Sequence, residues 1–166
     1  IQVLGFNNPG AAVAAVEGLI QIGIPAVSPL LDKLDGYNYG ARAWAIRALA
    51  GIGDPRGLSL LLDAAANDFS LSVRRAAARG LGTILWANMP TPERRKAQKQ
   101  AQKVLLQAVQ NDEEWVVRYA AVVGLEALAL LDATTTITEC LEHVKHHDEA
   151  LAVQARAQWA LEKVAK

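Results

Sequence analysis

Small and apolar residues recur along this chain in a phrase that can be laid over itself. Val73-Arg74-Arg75-Ala76-Ala77-Ala78-Arg79-Gly80-Leu81 aligns without a gap on Val117-Arg118-Tyr119-Ala120-Ala121-Val122-Val123-Gly124-Leu125. The same frame fits residues 41–49 and 11–19 upstream and residues 153–161 downstream, so that five copies are offset by 30, 32, 44 and 36 residues. In the central copies Val73, Ala76, Ala77, Gly80 and Leu81, with their counterparts, follow the i, i+3, i+4, i+7, i+8 spacing of a helix buried along one stripe. Alanine and glycine on that stripe let neighbouring helices approach closely. A period of this size, with no β-branched or glycine-rich strands between copies, marks stacked helix pairs rather than a propeller or a β-solenoid. The expected class is all-α: an α-solenoid with a right-handed superhelical twist, one domain over residues 1–166, about five repeats long.

Each frame helix needs a partner, and prolines announce where the partners begin. Pro25 stands before one apolar run and Asp54-Pro55 before another. Asp54 reads as an N-cap, with Pro55 at the first helical position, where its missing N–H costs nothing. The pattern predicts helix pairs over residues 25–34 with 38–52, 55–66 with 70–86, 93–110 with 113–131, and 135–146 with 149–165. A loop over residues 86–92, leading into a longer helix capped by Thr91 and Pro92, accounts for the 44-residue interval. Asp68 precedes Arg74 by six residues, Asp112 precedes Arg118 by six, and Asp35 precedes Arg42 by seven. Buried or half-buried charges are seldom left unpaired, so these arginines are expected to form a ladder with aspartates of their own or the adjacent repeat. The end copies carry Ala12 and Gln154 in that slot, as terminal repeats often differ.

Composition narrows the function. Of 166 residues, 52% are hydrophobic and 31 are alanine, while 17 Lys+Arg balance 17 Asp+Glu. A net charge of zero gives no electrostatic reason for the whole molecule to seek nucleic acid or an anionic membrane. The single cysteine, Cys140, excludes an internal disulfide and a thiolate-rich zinc site, and fits a reducing compartment; a cytoplasmic location is expected. The charge-free run over residues 18–31 is broken by Pro25 and Pro29 and does not read as a spanning helix. Residue 1 is Ile rather than Met, so the numbering is expected to begin inside a longer chain, truncated at its N-terminal side.

Catalytic motifs are hard to find. Gly51-Ile52-Gly53-Asp54-Pro55-Arg56-Gly57 has a superficial likeness to a phosphate-binding loop, but it joins two helices and follows no strand. Cys140, His143 and His147 share a helical face, yet one face supplies only part of a tetrahedral metal site; a solvated polar face is the expectation, with no metal ligand assigned. Cys140 has no inferable base or oxyanion donor and reads as a small buried residue. The run Glu93-Arg94-Arg95-Lys96 with Lys99 and Lys103 reads as a solvated face to which an acidic protein could dock. Off the packing stripe, Arg47, Arg75, Arg79 and Tyr119 face an inner groove if the frame helices line the concave side. Arginines and aromatic edges there suit a flat conjugated ligand with carboxylates, or an acidic helix of another protein.

The segment Tyr37-Asn38-Tyr39-Gly40-Ala41-Arg42-Ala43-Trp44, followed by Asp68-Phe69-Ser70-Leu71-Ser72-Val73-Arg74-Arg75, resembles the HEAT-like repeats of phycobilisome bilin lyases. Upstream, Val3-Leu4-Gly5-Phe6-Asn7-Asn8-Pro9-Gly10 is similar to the F-type subunits of the E/F-type phycocyanobilin lyases. The resemblance covers most of residues 1–131. It implies a heterodimer with a homologous E-type subunit, an enzyme that binds phycocyanobilin as substrate without a prosthetic group and joins it through a thioether to a cysteine of the phycocyanin α subunit. Detachment and transfer are also family activities. Because the acceptor supplies the thiol, no nucleophile of the chain's own is required. Relatives that isomerise the bilin carry an adjacent His-Cys pair, and this chain has none. Tyr37, Tyr39, Arg42, Trp44, Arg47, Arg75, Arg79 and Tyr119 are the expected bilin or partner contacts, Arg42 being the one that the ladder competes for. The alternative is a noncatalytic scaffold or adaptor in phycobilisome assembly or degradation. Neither nucleic acid nor membrane is an expected partner.

Overall fold

A computed structural model describes residues 1–32, 39–132 and 134–166, with the side chain of Tyr39 excluded. Among these residues the regular structure is helical: α1 (Pro9–Ile22), α2 (Val27–Leu31), α3 (Tyr39–Ile52), α4 (Leu58–Asn67), α5 (Leu71–Leu81), α6 (Thr91–Asn111), α7 (Trp115–Ala129), α8 (Thr135–His147) and α9 (Leu151–Val164). The frame helices α1, α3, α5, α7 and α9 stack side by side as one layer, and α4, α6 and α8 lie behind them as a second. This is the α-solenoid expected from the repeat.

Alanine gives these helices high intrinsic propensity and, on the packed face, low bulk. The slot of Gly80 shows why that matters. A methyl group there would sit 2.5 Å from Ala50 Cβ on α3, and one at Gly124 would sit 2.8 Å from the Ala78 carbonyl oxygen on α5. Adjacent inner helices therefore touch almost backbone to backbone. Leucines from the outer layer and the frame, Leu61, Leu81, Leu105, Leu125 and Leu141 among them, fill the space between layers and are fully buried. Each contributes about 1.5–3 kcal/mol over leaving it in water.

Several boundaries differ from the sequence reading. Asp54 caps as expected, its Oδ1 accepting from the Arg56 N–H at 2.9 Å. Thr91 does not cap α6: it is the first helical residue, Pro90 holds the cap position, and no side chain caps the helix. Helix α5 ends at Leu81, not near residue 86, because the chain turns there to cross the ends of α3 and α5. Thr83 Oγ1 donates to the carbonyls of Ala50 (2.9 Å) and Gly80 (3.0 Å), and the Leu85 N–H donates to the Gly53 carbonyl at 2.8 Å. Helix α2 is only five residues long, preceded by a 3-10 turn over Ile24–Ala26.

The arginine ladder runs between repeats. Arg42 reaches Asp68 at 3.0 Å; Arg74 grips Asp112 through Nε (2.7 Å) and Nη2 (3.1 Å); Arg118 grips Asp148 the same way at 2.8 and 3.0 Å. Each aspartate also accepts the N–H two residues on, which shapes the turn into the next frame helix. Arg74 and Arg118 use Nη1 to hold the carbonyl six residues before them, and Gln154 holds the Asp148 carbonyl at the end of the array. Asp35 lies outside the described residues. Burial by itself would raise the Asp148 carboxyl pKa, but the hydrogen bonds from Arg118 and the Ala150 N–H, with the Arg118 charge, outweigh it and leave it lowered. A lowered carboxyl pKa gives stability that is complete above the unfolded value near pH 4 and is lost as pH falls through the folded value. Asp148→Asn is therefore expected to cost about 2 kcal/mol at pH 7 and to flatten the acid limb of stability below about pH 4. Urea unfolding at pH 7 and pH 3.5 measures both; an equal effect at the two pH values would contradict the assignment.

The C-terminal end closes with another buried pair. Arg156, in the slot held by Ala76 and Ala120 elsewhere, donates to Glu126 at 2.6 Å, and Lys163 joins at 3.2 Å. Both cations sit over the Trp159 ring, at 4.9 and 4.4 Å from its centroid.

Candidate functional site

The inner layer leaves an open groove of about 660 Å³ across α3, α5 and α7. Its floor is Ala50, Gly51, Ala76, Gly80 and Ala120, the small residues that the close helix packing requires. One wall carries Arg47 from α3 with Arg75 and Arg79 from α5; the other carries Trp115, Val116, Tyr119 and Val123 from α7. Arg75 and Arg79 are one helical turn apart, as are Trp115 and Tyr119, so each pair points the same way. Thr83, tied by its two carbonyl bonds, also lines the groove.

Arg47, Arg75, Arg79 and Tyr119 thus come together as the sequence phase suggested. Trp44 does not line the groove; it packs on the N-terminal core and lies 4.8 Å below the Arg47 guanidinium. Arg42 is not among the residues lining the groove; it is engaged by Asp68 in the ladder. Tyr37 lies outside the described residues, as does the side chain of Tyr39. Trp115 also lines the groove, although the sequence reading does not place it among the expected contacts. It stands two positions before the repeat frame and is 47% exposed, although its spacing of four from Tyr119 placed it on the same face.

The electrostatics of the arginine wall are unbalanced. Burial lowers the Arg47 pKa, and the nearby charge of Arg75 lowers it further. Among the described residues, no carboxylate lies within 4.0 Å of Arg47, Arg75 or Arg79. The groove is therefore apolar and aromatic on one side and positive on the other. It can hold a flat, anionic molecule; it presents no nucleophile paired with a base.

Comparison with known proteins shows the family of the chain. A family model described as HEAT repeats matches residues 1–82. The chain is 55% identical over 99% of its length to a phycobilisome maturation protein of Synechococcus elongatus, covering 81% of that protein. It is 52% identical to the phycocyanin alpha phycocyanobilin lyase CpcF of a Synechocystis strain, covering 98% of this chain and 76% of that one. A solved structure, the complex of CpcE and CpcF of phycocyanin lyase from Nostoc sp. PCC7120, contains a chain that superposes with a TM-score of 0.88 at 48% identity, covering 96% of this chain and 94% of that chain. This chain belongs to the phycocyanobilin lyase family.

In this lyase-family chain the other chemical candidates stay outside the groove. Cys140 is 8% exposed within the core, and burial pushes its thiol pKa up, away from the thiolate needed of a nucleophile. His143 and His147 stack on each other, 4.4 Å between ring centres, on the exposed face of α8. No group of three His, Cys, Asp or Glu side chains suited to a metal occurs among the described residues. Arg95, Lys96, Lys99 and Lys103 project from the outer layer on α6. No single helix among the described residues is long and apolar enough to cross a membrane.

Proposed function

We propose that this chain is one subunit of a heterodimeric bilin lyase. With an E-type partner it holds phycocyanobilin without a covalent bond and presents it to a cysteine of the phycocyanin α subunit. The observation that carries this reading is the groove itself, whose volume falls in the range of small-molecule sites and whose two walls match a conjugated, carboxylate-bearing molecule. Contacts to the bilin come from Arg47, Arg75, Arg79, Tyr119 and Trp115, while Arg42 serves the ladder. In the reaction the acceptor thiolate sulfur bonds to the exocyclic ethylidene carbon of ring A, the exocyclic double bond becomes single, and the adjacent ring carbon takes up a proton. No electron donor or acceptor is needed, and detachment is the same step reversed. The protein's work is to hold the bilin extended with its ethylidene beside the thiolate, the kind of positioning that removes much of the barrier between two solutes. The reducing cytoplasm, where that thiol and Cys140 stay reduced, is its place of action.

Reconstitution tests the proposal. The purified chain, its E-type partner, phycocyanobilin and apo-α-phycocyanin are expected to give a covalent adduct, seen as zinc-induced fluorescence of the acceptor on a denaturing gel. Binding to phycocyanin with no adduct under any order of addition would reject the lyase reading in favour of a scaffold or adaptor. Cys140→Ala in the same assay is expected to leave the yield of adduct unchanged; loss of the adduct by a variant that still pairs with its partner would make this buried thiol part of the chemistry.

A further inference from the structure

The ten arginines of the chain fall into three groups. Arg42, Arg56, Arg74, Arg118 and Arg156 each hold a carboxylate at 2.6 to 3.0 Å. Arg94 and Arg95 belong to the outer helix α6. Arg47, Arg75 and Arg79 line one wall of the groove with no carboxylate within 4.0 Å among the described residues, in a protein that pairs its other inner-layer arginines consistently. Arg75 and Arg79 repel each other at i, i+4, and Arg47 sits half-buried beside them. Arg75 and Arg79 are exposed, so three unpaired guanidinium groups stand open to an anion entering the groove, and a bound carboxylate would relieve their mutual repulsion.

We propose that Arg47, Arg75 and Arg79 form a carboxylate clamp that orients the ligand, and that Trp44 is a positioning residue whose ring holds the Arg47 guanidinium toward the groove. This rests on the bilin reading above and adds an orientation to it. The two propionates lie on the α3/α5 wall, where planar guanidinium forks donate paired N–H bonds to them, and the conjugated rings lie against Trp115 and Tyr119 on α7. Trp44 acts from behind, 4.8 Å from Arg47, and does not itself line the groove.

The test compares phycocyanobilin with its dimethyl ester, which keeps the conjugated body and removes both charges. Each is titrated by visible absorbance into the heterodimer with the E-type partner. The diacid is expected to bind about 30-fold more tightly than the diester, and Arg75→Gln with Arg79→Gln should bring the two together. Trp44→Leu should weaken the diacid by about 5-fold and leave the diester unchanged, whereas a ring-stacking role for Trp44 would weaken both alike. Equal binding of diacid and diester by the unaltered protein would overturn the clamp while leaving the groove as the bilin site. Binding of neither would overturn both readings. A glutamine variant that keeps its preference for the diacid but no longer co-elutes with its partner would show that these arginines hold an acidic face of another protein, and would also overturn the clamp.

Discussion

Removing both aromatic side chains of the α7 wall, Trp115→Ala with Tyr119→Ala, is expected to weaken phycocyanobilin binding by about 100-fold. Trp115 is 47% exposed and contributes little to the core, so its cost falls on the ligand rather than on folding. Tyr119 does pack partly on the core, and its loss should lower stability by about 1 kcal/mol without disturbing the helices. Stacking against an indole and a phenol ring supplies orientation as well as affinity, because a flat chromophore that can slide no longer keeps its ethylidene beside an incoming thiolate. Covalent transfer should therefore fall further than binding. Absorbance titration of the heterodimer, paired with the rate of adduct formation, separates the two effects. Unchanged affinity in a variant with normal helix content would contradict the placement of the chromophore.

The second large effect is on stability. Gly53 has φ of +71°, and a methyl group added there would lie 2.3 Å from the Thr83 carbonyl oxygen. Two penalties add, the left-handed backbone and a collision with main chain that cannot step aside, so Gly53→Ala should cost about 3 kcal/mol or more. Gly23 provides the control. It has the same φ, but its nearest neighbour to an added methyl is the Ile20 carbonyl at 3.9 Å, so Gly23→Ala should cost only about 1 kcal/mol. Urea unfolding of the two variants tests the difference; equal costs would show that the contact with Thr83 carries no strain. Because Thr83 lines the groove and is tied to Ala50 and Gly80, the Gly53 variant should also bind bilin less well than its residual folded fraction explains.

Much of this architecture was legible as periodicity. The frame of apolar and small residues located the stacked inner helices, since helix packing obeys a spacing that side-chain size alone reveals. The ladder was legible too, although the six-residue interval between Asp68 and Arg74 turned out to mark something else. That interval spans the contact of the Arg74 guanidinium with the Asp68 carbonyl, while its carboxylate partner is Asp112 of the next repeat. Sequence distance could not distinguish the two, because the partner lies across a repeat boundary. The end of α5 falls short of the expected residue 86 because Gly82 caps the helix, the Thr83 hydroxyl bonds back to the Gly80 carbonyl, and Thr83 and Leu85 then tie the chain to α3 and the loop after it.

The site shows the same division. Arg47, Arg75, Arg79 and Tyr119 were readable because residues off a packing stripe must face outward, and on the inner layer outward means into the groove. Trp115 was not, since it lies just before the repeat frame. Arg42 was ambiguous for a physical reason. An arginine at the second frame position can either join the ladder or turn inward, and the presence of Asp68 across the interface decides it.

The most direct test of the central claim is the crystal structure of the heterodimer loaded with phycocyanobilin. The predicted result is a tetrapyrrole lying across α3, α5 and α7, with its propionates on Arg75 and Arg79 and its rings against Trp115. A chromophore bound elsewhere, with this groove vacant or filled by a helix of the partner, would contradict it.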